Sequence, residues 1–112
     1  VCIRIDGITT FLNGVNMTKV LQVTIYKSIS DDAKLAAYAE LAGPAMVAAG
    51  AKFLARGVPV AVKEEGQKTR TVVVEWESLE AAQAAYNSPG YQEALEKLDG
   101  SAVREFRYVE AV

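Results

Sequence analysis

A chain of 112 residues with 51% hydrophobic content has the material for one domain around one core. Its net charge of -2 offers no basic excess for phosphate backbones, so nucleic acid is not expected as a partner. Histidine is absent and Cys2 is the one cysteine, which excludes Ser-His-Asp and Cys-His nucleophile systems, histidine-ligated haem and an internal disulfide.

Those exclusions narrow the chemistry. Any metal site would have to be built from carboxylates, and neither an EF-hand spacing nor an acidic cluster is visible, so neither metal nor cofactor is expected. No apolar run approaches the roughly 20 residues needed to cross a bilayer, and no membrane association is expected. A lone cysteine fits a reducing, cytoplasmic setting. A domain of this size buries about two-thirds of its unfolded surface, so packing against a second copy would add to its stability.

The opening stretch VCIRIDGITTFLNGVN, residues 1–16, differs in character from the rest of the chain. Arg4 and Asp6 interrupt its apolar character too early for a secretory signal, and it has no small-residue cleavage site. We read it as a leader or N-terminal extension, able to pair as an extra β-segment, ahead of a domain over residues 17–112.

From Lys19 the pattern is regular. KVLQVTIYK alternates Leu21, Val23 and Ile25 with Gln22, Thr24 and Tyr26, the period of a half-buried strand. A helix comes next, with Ser30 as expected N-cap, two aspartates at its positive end and Leu35, Ala39, Ala42 and Met46 at helical spacing. Gly43-Pro44 should kink or divide it, and Gly50 should end it. AKFLARG is the second strand. VPVAVKEEGQK is expected as a hairpin arm and turn, with Pro59 marking an edge or bulge.

TRTVVVEWE is the third strand. Ser78 caps a helix that stops at Asn87-Ser88-Pro89-Gly90; Ser88 then caps a new helix with Pro89 at its first position, where a missing N–H costs nothing. Gly100 closes it, and AVREFRYVEAV is the last strand. The order βαββαβ predicts an α+β, ferredoxin-like fold: a four-stranded antiparallel sheet with both helices on one face.

Alternation then assigns faces. Leu21, Val23, Ile25, Phe53, Ala55, Val72, Val74, Trp76, Phe106 and Tyr108 are expected under the helices. Gln22, Thr24, Tyr26, Lys52, Leu54, Arg56, Thr71, Val73, Glu75, Glu105 and Arg107 are expected on the other side, a half-polar face suited to enclosing a cavity against a second sheet.

AKFLARG, and then VVVEWESLEAAQAAYNSPGYQEAL, resemble the domain of unknown function 1330 family within the dimeric α+β barrel superfamily. The likeness covers residues 19–112. It implies a ferredoxin-like protomer whose sheet packs on its twin's to form a barrel. The family has no generally established reaction; its superfamily includes cofactor-free monooxygenases, lactone isomerases and haem-handling enzymes, and the lack of histidine departs from the last of these.

Each candidate site residue has a functional and a structural reading. Turning the hairpin at Glu65-Gly66 places Glu75 opposite Arg56, either as a cross-strand salt bridge or as a catalytic pair in which Glu75 moves a proton and Arg56 holds a carboxylate or enolate oxygen. Tyr26 is placed on the cavity face as a ligand contact. Tyr86, Ser88 and Tyr91 around the helix break are either packing and capping residues or the mouth of an anion site.

Three functions stay open: a homodimer binding a small anionic or carbonyl-bearing organic molecule between sheet and helices, acting on it without a cofactor; a non-catalytic dimerisation or binding module whose interior is filled by side chains; and an enzyme site at the YNSPG break.

Overall fold

The computed structural model describes residues 11–12, 15–16 and 18–112. Phe11–Leu12 (β1) and Val15–Asn16 (β2) pair with each other. The rest of the expected extension over 1–16, and Met17 at the expected domain start, lie outside the described residues. The main elements are β3 (Val20–Ile29), α1 (Asp32–Ala48), β4 (Lys52–Gly57), β5 (Thr71–Trp76), α2 (Leu79–Tyr86), α3 (Pro89–Leu98) and β6 (Ala102–Glu110). Four of these strands form an antiparallel sheet in the order β4-β5-β3-β6. This is the expected ferredoxin-like α+β arrangement.

Local chemistry sets the helix boundaries. Asp31, not Ser30, caps α1, its carboxylate accepting from the Lys34 N–H at 3.1 Å. The Ser30 hydroxyl instead donates to the Ser101 carbonyl at 3.1 Å, tying the entry of α1 to the entry of β6. Helix α1 runs unbroken through Pro44. Ser78 and Ser88 cap α2 and α3, and Pro89 opens α3. Asp99 ends α3 in the left-handed region, φ 50°, and Gly100 comes after it at φ 69°.

The face assignment of β3 is inverted relative to the expectation. Cross-strand partners share a face, and Gln22 pairs with Val74 and Tyr108, Thr24 with Val72 and Phe106, Tyr26 with Arg104. Gln22, Thr24 and Tyr26 therefore lie buried beneath the helices with Trp76. Leu21, Val23 and Ile25, half-buried, are on the face that the helices leave uncovered. The reason is a polar chain: the Trp76 Nε1–H donates to Gln22 Oε1 at 3.0 Å, and Gln22 Nε2 donates to Thr24 Oγ1 at 2.9 Å. Buried polar groups are tolerated where they satisfy one another, and an indole N–H inside a core needs an acceptor.

A second correction concerns β4. An irregularity between Phe53 and Ala55 puts Leu54 out of register, so Ala55 faces Val73 on the uncovered side and Arg56 faces Val72 on the helix side. Both are opposite to the alternation read from the sequence. Residues 58–70 form an irregular connection rather than a hairpin arm, turning where the Gly66 N–H meets the Lys63 carbonyl at 2.9 Å.

The core lies between the sheet and the helices: Tyr38, Ala42 and Met46 of α1, Ala82 and Ala85 of α2, and Tyr91, Ala94 and Leu98 of α3 over Val72, Val74 and Trp76. Alanines at the α2–sheet contact allow close approach. The Tyr38 and Tyr91 rings meet edge-on, 5.9 Å between centroids, joining α1 to α3.

Candidate functional site

The inversion of β3 moves the polar residues from the uncovered face into the cleft under α1. There they wall a chamber of about 50 Å³ together with α1, Arg56, Arg70 and Arg104. An open groove of about 630 Å³ lies beside it, lined by Gln83, Tyr86, Asn87, Arg104, Phe106 and Tyr108. Arg104 and Phe106 belong to both, so they form the partition between chamber and groove.

Arg104 organises this region. Its guanidinium carbon lies 5.4 Å from the Tyr26 ring centroid, 5.0 Å from that of Tyr38 and 4.7 Å from that of Phe106. Nη1 donates to the Tyr38 hydroxyl at 3.0 Å and, at the long distance of 3.5 Å, toward that of Tyr26. Tyr38 and Tyr91 share a short buried bond between their hydroxyls, 2.6 Å. Burial disfavours the Arg104 charge, yet the phenol oxygens of Tyr38 and Tyr91 outweigh it, holding its pKa above the ordinary arginine value. Burial pushes the Tyr91 phenol well above the tyrosine range, with Tyr38 adding to the effect. Burial likewise raises Tyr38, against the opposing pull of Arg104. The site therefore holds a permanent cation among phenols that stay neutral.

Sequence reasoning missed Arg104. The signal was present: Arg104, Phe106 and Tyr108 share the parity of β6, so a cation stood in line with two residues assigned to the covered face.

The residues named from sequence separate into three groups. Tyr26 and Arg56 line the chamber, Arg56 with its guanidinium carbon 4.7 Å from the Phe53 ring centroid. Tyr86 lines the groove, its ring against Tyr91 and Phe106. Ser88 and Tyr91 line neither: the Ser88 hydroxyl accepts from the Tyr91 N–H at 3.3 Å and donates to the Ala85 carbonyl at 2.7 Å, and Tyr91 is spent on Tyr38.

Glu75 is on the uncovered face, opposite Leu21 and Lys52, with its carboxylate 3.6 Å from Lys19 Nζ. The expected Glu75–Arg56 pair does not form. The displaced Leu54 carries Arg56 through to the other side of the sheet, so the two side chains leave it in opposite directions.

Among the described residues no group of three or more His, Cys, Asp or Glu side chains is arranged to hold a metal ion, and no helix is long and apolar enough to cross a membrane.

The DUF1330 family, a domain of unknown function, matches over residues 19–112. The chain belongs to this family. Among curated proteins none matches its sequence. Solved structures give the fold. A protein of unknown function from Rhodopseudomonas palustris superposes with a TM-score of 0.67 at 14% identity, covering 86% of this chain and 84% of its own. SnoaB from Streptomyces nogalater, a cofactor-independent oxygenase, superposes at 0.58 and 12% identity, covering 85% and 94%. A dimeric protein of unknown function with a ferredoxin-like fold from Bacteroides fragilis superposes at 0.52 and 14% identity, covering 82% and 95%. These likenesses show that the DUF1330 chain has a ferredoxin-like α+β fold.

Proposed function

We propose that this DUF1330 protein is a cytoplasmic homodimer that binds a small organic molecule bearing an anionic or carbonyl oxygen between sheet and helices, and oxygenates it or moves its proton without a cofactor. The observation that carries this reading is Arg104: a guanidinium in the partition between chamber and groove, resting on three aromatic rings and in no ion pair among the described residues. A half-buried cation without an anion is a ready partner for charge on a bound oxygen. The groove beside it falls in the usual size range of small-molecule sites, and Tyr86, Phe106 and Tyr108 offer aromatic surface for the body of a ligand.

Arg104 would hold the oxygen, Tyr26 and Arg56 would complete the chamber wall, and Tyr86 would contact the ligand body. Glu75, set against Lys19 on the other face, has its place in the dimer contact. Leu21, Val23, Ile25 and Val73 give that face a half-buried apolar centre on the side away from the helices, which supports packing of a second sheet against it. The likeness to a cofactor-independent oxygenase supports the reaction class.

The test is calorimetry with hydroxylated aromatic and keto-acid compounds, then oxygen uptake with those that bind. Binding by the wild type and its loss in Tyr86→Ala and Arg104→Ala are expected. The second reading, a non-catalytic dimerisation or binding module, draws on the small inner space of about 50 Å³. It would prevail if the protein dimerised but bound nothing from the set.

A further inference from the structure

Three arginines from three different parts of the chain line the inner chamber: Arg56 from the end of β4, Arg70 from the residue before β5 and Arg104 from β6. Arg70 and Arg104 flank one ring, their guanidinium carbons 5.9 and 5.4 Å from the Tyr26 centroid. No carboxylate side chain belongs to the chamber wall, and none of the three arginines forms an ion pair among the described residues. Three like charges line this space, Arg56 at its exposed rim and Arg70 and Arg104 half-buried, and a bound anion would relieve their mutual repulsion.

The hydrogen-bonding inventory of the wall is one-sided. The Gln22 amide is engaged at both ends, its oxygen by Trp76 and its nitrogen by Thr24. The Thr24 hydroxyl oxygen receives Gln22, which leaves the Thr24 proton to donate. The Tyr26 oxygen receives Arg104, leaving its proton likewise. Tyr38 accepts from Arg104 and shares with Tyr91 a bond in which either hydroxyl can be the donor. Side-chain donors thus remain from Thr24, Tyr26 and the guanidiniums, while the side-chain acceptors already have partners. Such a lining selects a group that only accepts.

Size narrows the class further. A chamber of about 50 Å³ has room for roughly three or four water-sized atoms. The three heavy atoms of a carboxylate fit that room, and its planar pair of oxygens matches the guanidinium fork. A phosphate, bulkier and with a heavier hydration shell to lose, is the poorer fit.

We infer that the chamber is a carboxylate-binding subsite, formed by Arg56, Arg70 and Arg104 with Thr24, Tyr26 and Tyr38, that takes the acid head of a ligand whose body occupies the neighbouring groove. This rests on reading the cleft between sheet and helices as the ligand site and narrows its ligand from an anionic or carbonyl compound to a carboxylic acid.

Titration with sodium formate and sodium acetate at constant ionic strength, with acetamide and inorganic phosphate as controls, tests it by calorimetry and thermal shift. Formate and acetate are expected to bind and raise Tm, acetamide to do neither, and phosphate to be weaker than acetate. Arg70→Ala, which leaves the groove lining intact, should weaken acetate on the order of tenfold, the effect of losing one charge-assisted contact. Arg104→Ala should weaken it at least as much and Arg104→Lys less; if Arg104→Ala does not fold, Arg70→Ala carries the test. Equal binding of acetamide and acetate, preference for phosphate, or acetate binding unchanged in Arg70→Ala would each overturn the assignment. If neutral compounds bind the groove while no carboxylate binds the chamber, the subsite is refuted and the broader reading of the cleft stands. If nothing binds at all, both fall.

Discussion

Replacing Gln22 by alanine tests the inverted face of β3 directly. The amide is 4% exposed and serves two buried partners, accepting from Trp76 Nε1 at 3.0 Å and donating to Thr24 Oγ1 at 2.9 Å. Its removal leaves the indole N–H without an acceptor at a residue 2% exposed, a cost of about 1–3 kcal/mol. Losing the bond to Thr24 adds about 1 kcal/mol. Together these come to about 3 kcal/mol, which for a domain near this size lowers Tm by roughly 12–24 °C. Urea denaturation monitored by the fluorescence of Trp76, the one tryptophan, measures it. Leu21→Ala is the control: Leu21 lies on the uncovered face, so its truncation should cost about 1 kcal/mol or less in dilute protein. A Gln22→Ala variant within about 0.5 kcal/mol of wild type, beside a strongly destabilised Leu21→Ala, would refute the inversion and the site built on it.

Three further outcomes are expected. Val73→Glu, which sets a charge in the centre of the uncovered face opposite Val23 and Ala55, should convert a dimer to folded monomers by sedimentation, with far-UV circular dichroism unchanged. Ser88→Ala removes a helix cap and should cost about 1 kcal/mol in denaturation while leaving ligand affinity as it was, since the hydroxyl is engaged by the Tyr91 N–H and the Ala85 carbonyl. For pH, Tyr38 and Tyr91 are acids whose folded pKa values are raised by burial, so the folded state holds their protons longer than the unfolded chain does. Their contribution is fully present below about pH 10, where unfolded tyrosine titrates, and is lost as pH rises beyond it. Alkaline denaturation should therefore steepen above that point, and Tyr91→Phe should flatten it.

The sequence pattern carried the fold because its punctuation was chemical. Ser78, Ser88 and Pro89 mark helix starts by what their side chains can and cannot bond, and βαββαβ leaves few ways to pair four strands. The faces of β5 and β6 were legible from alternation, since Val72, Val74 and Trp76 share the parity opposite Thr71 and Glu75, and Phe106 and Tyr108 that opposite Glu105 and Arg107.

Strand β3 defeated the rule that apolar residues point to the core. Leu21, Val23 and Ile25 look like a core stripe, but the core side belongs to Gln22, Thr24 and Tyr26, whose cost of burial is offset by Trp76 and Arg104. An indole in need of an acceptor was the available clue. The fate of Arg56 was not legible, because the irregularity at Leu54 is a property of pairing that no residue in AKFLARG announces.

Gly43 bounds the chamber from α1, and a Cβ added there would meet nothing within 4 Å. Between the side chains that α1 contributes to this wall, Gly43 thus leaves one bare patch of backbone, with no atom within 4 Å of a Cβ placed there. Exchange to alanine would be sterically accepted and favoured by helix propensity. Related chains can therefore adjust which guests the compartment admits by changing one residue that performs no chemistry, leaving the arginines and phenols untouched.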